Sequence, residues 1–181
     1  MAKNFMNLTI RQETCNDYQK VVKVVKHAFK NVAISDSQEH LLVKRLRNSD
    51  TFIPELSIVA EYKNEIIGHI LLTKIKIVNN SNTFESLALA PVSVLPKFQK
   101  QGVGGKLIEE AHKKAKKLGF KSIVLLGHEN YYPKFGYELT SKYNIEIPFN
   151  APEENCMVIE LTKNGLKRVS GKVEYSPAFF E

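Results

Sequence analysis

Residues 92–107 read V-S-V-L-P-K-F-Q-K-Q-G-V-G-G-K-L, and the fold turns on how they are parsed. Val92 to Leu95 close an apolar run of strand character. Pro96 has no N–H to give to a sheet ladder, so pairing stops there. Gly102, Gly104 and Gly105 then permit a tight turn in which backbone can lie close to a ligand. Beyond it Val103, Leu107, Ile108, Ala111, Ala115 and Leu118 recur at spacings that make one apolar stripe on a helix, and Gly119 is placed to end it. Strand, glycine loop and helix start, in that order, gather free backbone N–H groups and the positive end of a helix dipole around one point. That arrangement favours an anion, most naturally a phosphate or pyrophosphate.

Three phosphate loops compete for the stretch. A P-loop needs G-x-x-x-x-G-K-[ST], but Leu107 follows Lys106 and Lys100 stands where the first glycine belongs. A dinucleotide fingerprint needs G-x-G-x-x-G, and Leu107 occupies its last glycine position. The pattern Q/R-x-x-G-x-G/A is met by Gln99-Lys100-Gln101-Gly102-Val103-Gly104. It resembles the acetyl-CoA loop of the GNAT superfamily of N-acetyltransferases.

Outward from the loop, the periodicity predicts a first strand over residues 8–12. A helix follows, capped by Asn16 or Asp17, with Tyr18, Val21, Val22, Val25 and Phe29 on one face. Ser35-x-x-Gln38 reads as a capping box before a second helix that turns Leu41, Leu42 and Leu46 inward. Residues 57–62 and 66–78 read as strands joined by a turn at Lys63-Asn64, with Gly68 marking a bulge or close approach. Residues 84–95 form the next strand, interrupted by Ala90-Pro91. Residues 121–126 are short, continuous and apolar, as in a strand covered on both faces. A short helix over 131–135, strands over 143–148 and 156–161, and an apolar tail that packs back complete the chain. His40 and Arg45 read as solvated helix residues.

The chain has 181 residues, 43% hydrophobic and 25% charged, which suits one soluble domain spanning 1–181. No apolar run approaches the ~20 residues that cross a membrane, and the N-terminus lacks an apolar signal core, so a cytoplasmic location is expected. Cys15 and Cys156 are far apart and show no metal-ligand spacing; free thiols and no metal are expected. A formal net charge of +7 attracts anions. Nucleic acid is one such partner, though no helix-turn-helix, zinc-finger or RNP pattern is present; a polyanionic cofactor is another. Lys113, Lys114, Lys116 and Lys117 read as the solvated face of a helix.

Two further stretches carry the GNAT resemblance. L-G-H-E-N-Y-Y-P-K-F-G-Y contains Tyr132-x-x-x-Gly136-Tyr137, similar to the family's Y-x-x-x-G-F. Together with M-V-I-E-L and G-L-K-R-V-S-G-K-V-E-Y-S-P-A-F it is similar to a bacterial YhbS-like subgroup of predicted N-acetyltransferases. The resemblance implies an α/β (α+β) fold: a mixed central sheet of about six to seven strands, one of them splayed from its neighbour, flanked by about four helices. It implies acetyl-CoA as cosubstrate and a small-molecule amine or protein amino group as acceptor, in a monomer or homodimer. It places Val92, Ser93 and Val94 along the acetyl and pantetheine groups, and Lys100, Gln101, Gly102, Val103, Gly104 and Gly105 around the pyrophosphate, with Lys100 and Lys106 adding charge. Gln99 is expected to be structural. Leu125 stands where the family carries an asparagine, so that contact is absent or comes from Asn130 or His128.

The implied reaction needs an unprotonated amine, a held oxyanion and a proton for the leaving thiolate. The Val94 N–H is the expected oxyanion donor. Tyr132 is the expected general acid, a phenol of pKa ~10, with Tyr131 ranked below it. For the general base the order is Glu85, His128 (pKa ~6.5 unperturbed), then Glu61, with ordered water as the alternative. Two other functions are weighed: a sensor that binds acetyl-CoA or CoA without turnover, and, last, a basic nucleic-acid-associated protein.

Overall fold

The computed structural model describes residues 7–30 and 38–181. Strand β3 (Glu65–Val78) is the spine of the sheet. Its E-I-I-G-H-I-L-L-T-K-I-K-I-V run is β-branched or apolar at most positions, which suits a pleated surface covered on both faces. Lys63 and Asn64 both take positive φ, 49° and 64°, the two-residue turn that matches strand twist. They join β3 to β2 (Phe52–Tyr62), which pairs on its other edge with β1 (Thr9–Gln12). β4 (Thr83–Val94) pairs antiparallel with β3, and β5 (Ser122–Leu126) runs parallel to β4. Beyond β5 lie β8 (Cys156–Glu160) and β6 (Glu138–Leu139). Two short strands, β7 (Ile145–Glu146) and β9 (Gly171–Glu174), pair with each other, and β9 also pairs with β3.

Among the described residues the sheet thus has nine strands rather than six or seven. The extra ones are short: β6 and β7 have two residues each, and β9 lies in the tail that the sequence marks only as apolar. Three α-helices are present among the described residues: α1 (Tyr18–Phe29), α2 (Glu39–Arg47) and α3 (Val103–Lys117). The helix expected over 131–135 is a single 3-10 turn, Pro133–Phe135. Ser35, half of the expected capping box of α2, lies outside the described residues.

Helices cover both faces. α3 lays Leu107, Ile108, Ala111 and Ala115 on Ile58, Ala60, Ile70, Leu72, Leu87 and Leu89. α1 and α2 lay Val21, Val24, Val25, Val43 and Leu46 on Val59, Ile66 and Leu71 of the other face. Two expected inward residues face out: Leu41 is 41% and Leu118 45% exposed. Leu118 caps the C-terminus of α3, past the last turn that touches the sheet; on α2 the stripe runs through Leu42, Val43 and Leu46 instead. Gly68 does mark a close approach. A Cβ there would stand 3.0 Å from Leu107 and 3.2 Å from Val103, so the missing side chain lets the start of α3 settle on β3.

Pro91 does not break β4. The strand runs through it, with a register shift between Ile70 and Leu72 of β3 where the proline lies opposite. What changes at this point is the other edge. β4 and β5 pair at only two positions, Leu87 with Ile123 and Ala88 with Val124. Just before them Ser86 Oγ lies 2.7 Å from Ser122 Oγ and donates to Ser122 O at 3.0 Å, a buried bolt at the closed end. Past Ala88, residues 89–94 keep β3 as a neighbour and have no strand paired on the β5 side among the described residues.

Candidate active site

The open edge of β4 leads straight into the glycine loop. Leu95 N–H bonds Ile67 O of β3 at 2.9 Å. Backbone groups alternate along a strand, so the N–H and C=O of Val94 face the gap. Gln99 Nε2 donates to Val94 O at 3.0 Å, bracing the loop on the strand as a structural residue does. Lys100 and Gly102 take positive φ, 60° and 85°. The first bond within α3 runs from Lys106 N–H to Gly102 O. The N–H groups of Gly102, Val103, Gly104 and Gly105 therefore precede the ladder, with no side-chain cap and no acidic residue in the first turn. Lys106 is exposed, and neither it nor Lys100 forms an ion pair among the described residues. This is a positive helix end beside an unpaired strand edge.

The segment after β5 supplies the third wall. Gly127 N–H bonds Asn155 O at 2.9 Å, and Asn155 Nδ2 returns a bond to Gly127 O at 2.8 Å. Tyr132 packs onto Gly127: a Cβ on that glycine would lie 2.2 Å from the tyrosine ring. Its ring meets Tyr131 edge-on at 5.1 Å and Tyr137 at 5.6 Å. Burial, with Tyr131 alongside, pushes the Tyr132 phenol well above its ordinary pKa, so the hydroxyl keeps its proton. Tyr137 is buried too, and its hydroxyl lies 3.0 Å from His112 Nε2 of α3.

Tyr131, ranked below its neighbour from sequence, reaches the loop. Its hydroxyl lies 2.8 Å from where a Cβ on Gly104 would be, and Lys134 Nζ sits 3.9 Å from its ring centroid. Sequence carried only the Tyr-Tyr pair as a sign; both residues stand ahead of the 3-10 turn rather than on a helix, and their rings are in contact. Asn155 and a buried set comprising Glu13, Arg47, Ser57 and His69 were likewise not singled out, because their partners are distant in the chain.

The candidate bases are dispersed. Glu85 is exposed on β4 opposite Lys76, two positions before the paired Leu87, toward the closed end. At ~3.3 Å per residue it stands roughly 30 Å along the strand from Val94. Glu61 is held by Arg11 Nε at 3.0 Å and Nη2 at 2.7 Å, in a bridge that also binds Asp17. His128 opens the Tyr132 segment but is exposed, with Nδ1 3.4 Å from Glu129 and accepting the Asn130 N–H at 3.3 Å. Leu125 is a core residue and cannot supply the family's asparagine contact, and Asn130 donates to Glu129 at 2.9 Å. Arg45 donates to Ala178 O at 2.9 Å and ties down the tail. Among the described residues no group of three or more His, Cys, Asp or Glu could hold a metal, and no helix is long and apolar enough to cross a membrane.

A buried histidine and a half-buried one give the fold an acid limit. Burial lowers His69 from 6.5 to about 3 and His112 from 6.5 to about 4. The unfolded chain takes up these protons near 6.5, the folded one only below about 4. Between those values the unfolded state holds more protons, so stability falls as pH falls. Thermal melts should decline from pH 7 toward pH 4, and His112→Gln should flatten the decline; an unchanged slope would remove His112 from the account.

A splayed parallel pair, an uncapped helix start after Q-x-x-G-x-G and a tyrosine closing the far wall define a GNAT acetyltransferase domain, and residues 54–139 match the family model described as Acetyltransferase (GNAT) domain. The chain belongs to this family of N-acetyltransferases. It is 33% identical over 124 residues, 68% of each chain, to the uncharacterized N-acetyltransferase YjhQ of Escherichia coli K12. It is similar at 30% identity and a TM-score of 0.79 to a GNAT family acetyltransferase from Brucella melitensis, whose crystal structure holds acetyl-CoA, over 96% of this chain and 99% of that one. The crystal structure of Escherichia coli YhbS with CoA matches the fold at a TM-score of 0.87 and 24% identity, over 97% and 93%.

Proposed function

We propose that this chain transfers the acetyl group of acetyl-CoA to a primary amine by direct attack in a ternary complex. One observation carries the reading: the unpaired edge of β4 ends at the uncapped start of α3, so a linear thioester arm and its pyrophosphate find backbone partners in one continuous line. In this reading Val92 and Val94 hold the arm through backbone groups that face the gap, while Ser93 between them turns its own backbone groups to His69 of β3. Val94 N–H receives the oxyanion. Lys100, Gln101, Gly102, Val103, Gly104 and Gly105 hold the pyrophosphate, with Lys106 adding charge. Tyr132 donates its proton to the leaving thiolate. Glu85 and Glu61 have no part in it. The relatives' crystal structures with CoA and acetyl-CoA support the donor.

The test is calorimetric titration with acetyl-CoA. Saturable binding is expected, and Gly104→Val should weaken it at least ~10-fold, the loss of one or two charge-assisted bonds. A Cβ there would stand 2.8 Å from the Tyr131 hydroxyl and 3.7 Å from Val94 Cγ2, both side-chain atoms rather than backbone, so the fold should survive. Unchanged affinity in the variant would mean that the loop is only a turn. Tight binding with no thiol release across an amine panel would instead favour a sensor.

A further inference from the structure

The residue after Val94 borders a second concave site. The Leu95 side chain packs with the α1 and α2 cluster, on the face opposite α3. There a cavity of about 630 Å³ opens between α1, the start of β3 and the turn after β4. No residue from Gln99 to Lys106 lines it, so it is distinct from the pyrophosphate loop. Its floor is apolar: Val24 and Ile66 are buried, with Leu95 and Pro96 beside them. Its rim is basic, from Lys20, Lys23 and Lys97. An apolar concavity with a few converging charges is the usual form of a small-molecule site.

The charges around this cavity do not balance. Lys97 Nζ donates to both Glu65 oxygens at 3.2 Å, which ties the turn after β4 to β3 and occupies the one carboxylate in the lining. Lys20 and Lys23 are exposed and form no ion pair among the described residues. Three positions apart on α1, they hold their Cβ atoms about 5–6 Å apart on one helix face. Lys20 stands in the first turn of α1, where a cation opposes the helix dipole and no acidic residue of that turn offsets it. His27 closes the same face, its Nδ1 donating to Lys23 O at 2.7 Å, and neutralises neither lysine. The carboxylates at the base of α1 are already held, Asp17 and Glu61 by Arg11 and Glu13 by Arg47. An acceptor with a second cationic group therefore meets ammonium groups and no free carboxylate, whereas an anionic one meets two unmatched charges over an apolar floor.

We propose that this cavity anchors the acceptor, and that the acceptor is an amine carrying a carboxylate at the far end of a short apolar chain. The carboxylate lies between Lys20 and Lys23, and the chain lies on Val24, Ile66 and Leu95. No arginine lines the cavity to fork a phosphate, so a carboxylate is the better match. From Leu95 the amine has one residue of β4 to pass, ~3.3 Å of strand, to reach the level of the Val94 N–H. The same two lysines repel polyamines and other acceptors with a distal positive charge. The acceptor class so named rests on the acetyltransferase reading; the anion site does not.

Two measurements separate these layers. Hexanoate has the carboxylate and the chain but no amine, and its binding needs no turnover. It should shift the methyl resonances of Val24, Ile66 and Leu95 saturably, with or without CoA present, and the double variant Lys20→Glu with Lys23→Glu should weaken it at least ~10-fold. No shift in the wild type overturns the site, whereas absence of acetyl-CoA binding sinks the acetyltransferase reading instead. Thiol release is then compared for 6-aminohexanoate, hexylamine and 1,6-diaminohexane, which share one chain and one reacting amine and differ in the charge of the far end. The expected order of kcat/KM is the acid first and the diamine last. The double variant should lower kcat/KM for 6-aminohexanoate at least ~10-fold, through its KM, raise that for the diamine and leave the KM for acetyl-CoA unchanged. Equal use of the three amines by the wild type, or an equal effect of the variant on all three, overturns the proposal. Hexanoate binding without that order also overturns it and gives the cavity to an anion other than the acceptor.

Discussion

Replacing Arg47 by methionine should lower the melting temperature by about 10 °C or more. The guanidinium is nearly buried, at 7% exposure, and its partner Glu13 is more so, at 1%. Both Arg47 contacts to Glu13 disappear in the variant, together with the stacking of Arg47 over Tyr18 at 4.3 Å. Ser57 Oγ then remains as the side-chain donor to a carboxylate that has no water to turn to. Removing one member of a buried pair costs ~3–5 kcal/mol, and for a chain of this length each kcal/mol moves the midpoint by about 2–4 °C. The double variant Glu13→Leu with Arg47→Met removes both charges and should recover much of the loss, since well-packed apolar replacements of buried pairs are often neutral. Melts of the wild type and the two variants decide the matter. A single variant within about 2 °C of wild type, an apparent cost below roughly 1 kcal/mol, would show that the pair is not what holds α2 to the sheet.

Tyr132→Phe should lower kcat about 100-fold, the lower range for losing a general acid, and leave acetyl-CoA affinity nearly unchanged. The variant isolates one atom. Among the described residues the hydroxyl makes no hydrogen bond, while the ring packs on Gly127, Tyr131 and Tyr137, so phenylalanine fits the same space. Tyr131→Phe is the informative companion. Its hydroxyl lies at the loop by Gly104, so its removal should act on cofactor affinity rather than on turnover. If Tyr131→Phe carries the loss in kcat and Tyr132→Phe does not, the acid has been assigned to the wrong member of the pair.

What could be read from sequence was local. The Lys63-Asn64 turn, the apolar stripe of α3, its end at Gly119 and the loop from Gln99 to Gly105 each declare themselves within a dozen residues, because turn chemistry and helical period act at that range. The buried set did not. Glu13 and Arg47 are 34 positions apart and Glu13 and Ser57 are 44 apart, and each alone reads as an ordinary polar residue. The fate of Glu85 was hidden for a related reason. A carboxylate on the right strand is a reasonable base until the ladder shows at which end the strand opens. Tyr131 and Tyr132 were separable only by what each ring packs on, Gly104 or Gly127, and Leu118 only by where α3 leaves the sheet.

Residues 89–94 form an edge strand placed inside a sheet. Exposed edges elsewhere invite other chains to pair, and proteins blunt them with charge, proline or short length. Here the same appetite for hydrogen bonds is kept and access is restricted instead. β5 and its continuation through Gly127 stand across the opening, β3 occupies the other side, and helices cover both faces. A folded partner or an aggregating strand would have to wedge the β4–β5 pair apart against the Ser86–Ser122 bolt. A thin, flexible arm with amide groups along its length meets no such barrier. In the proposed reading the fold thereby converts a hazard of β architecture into a filter that admits ligands by their width.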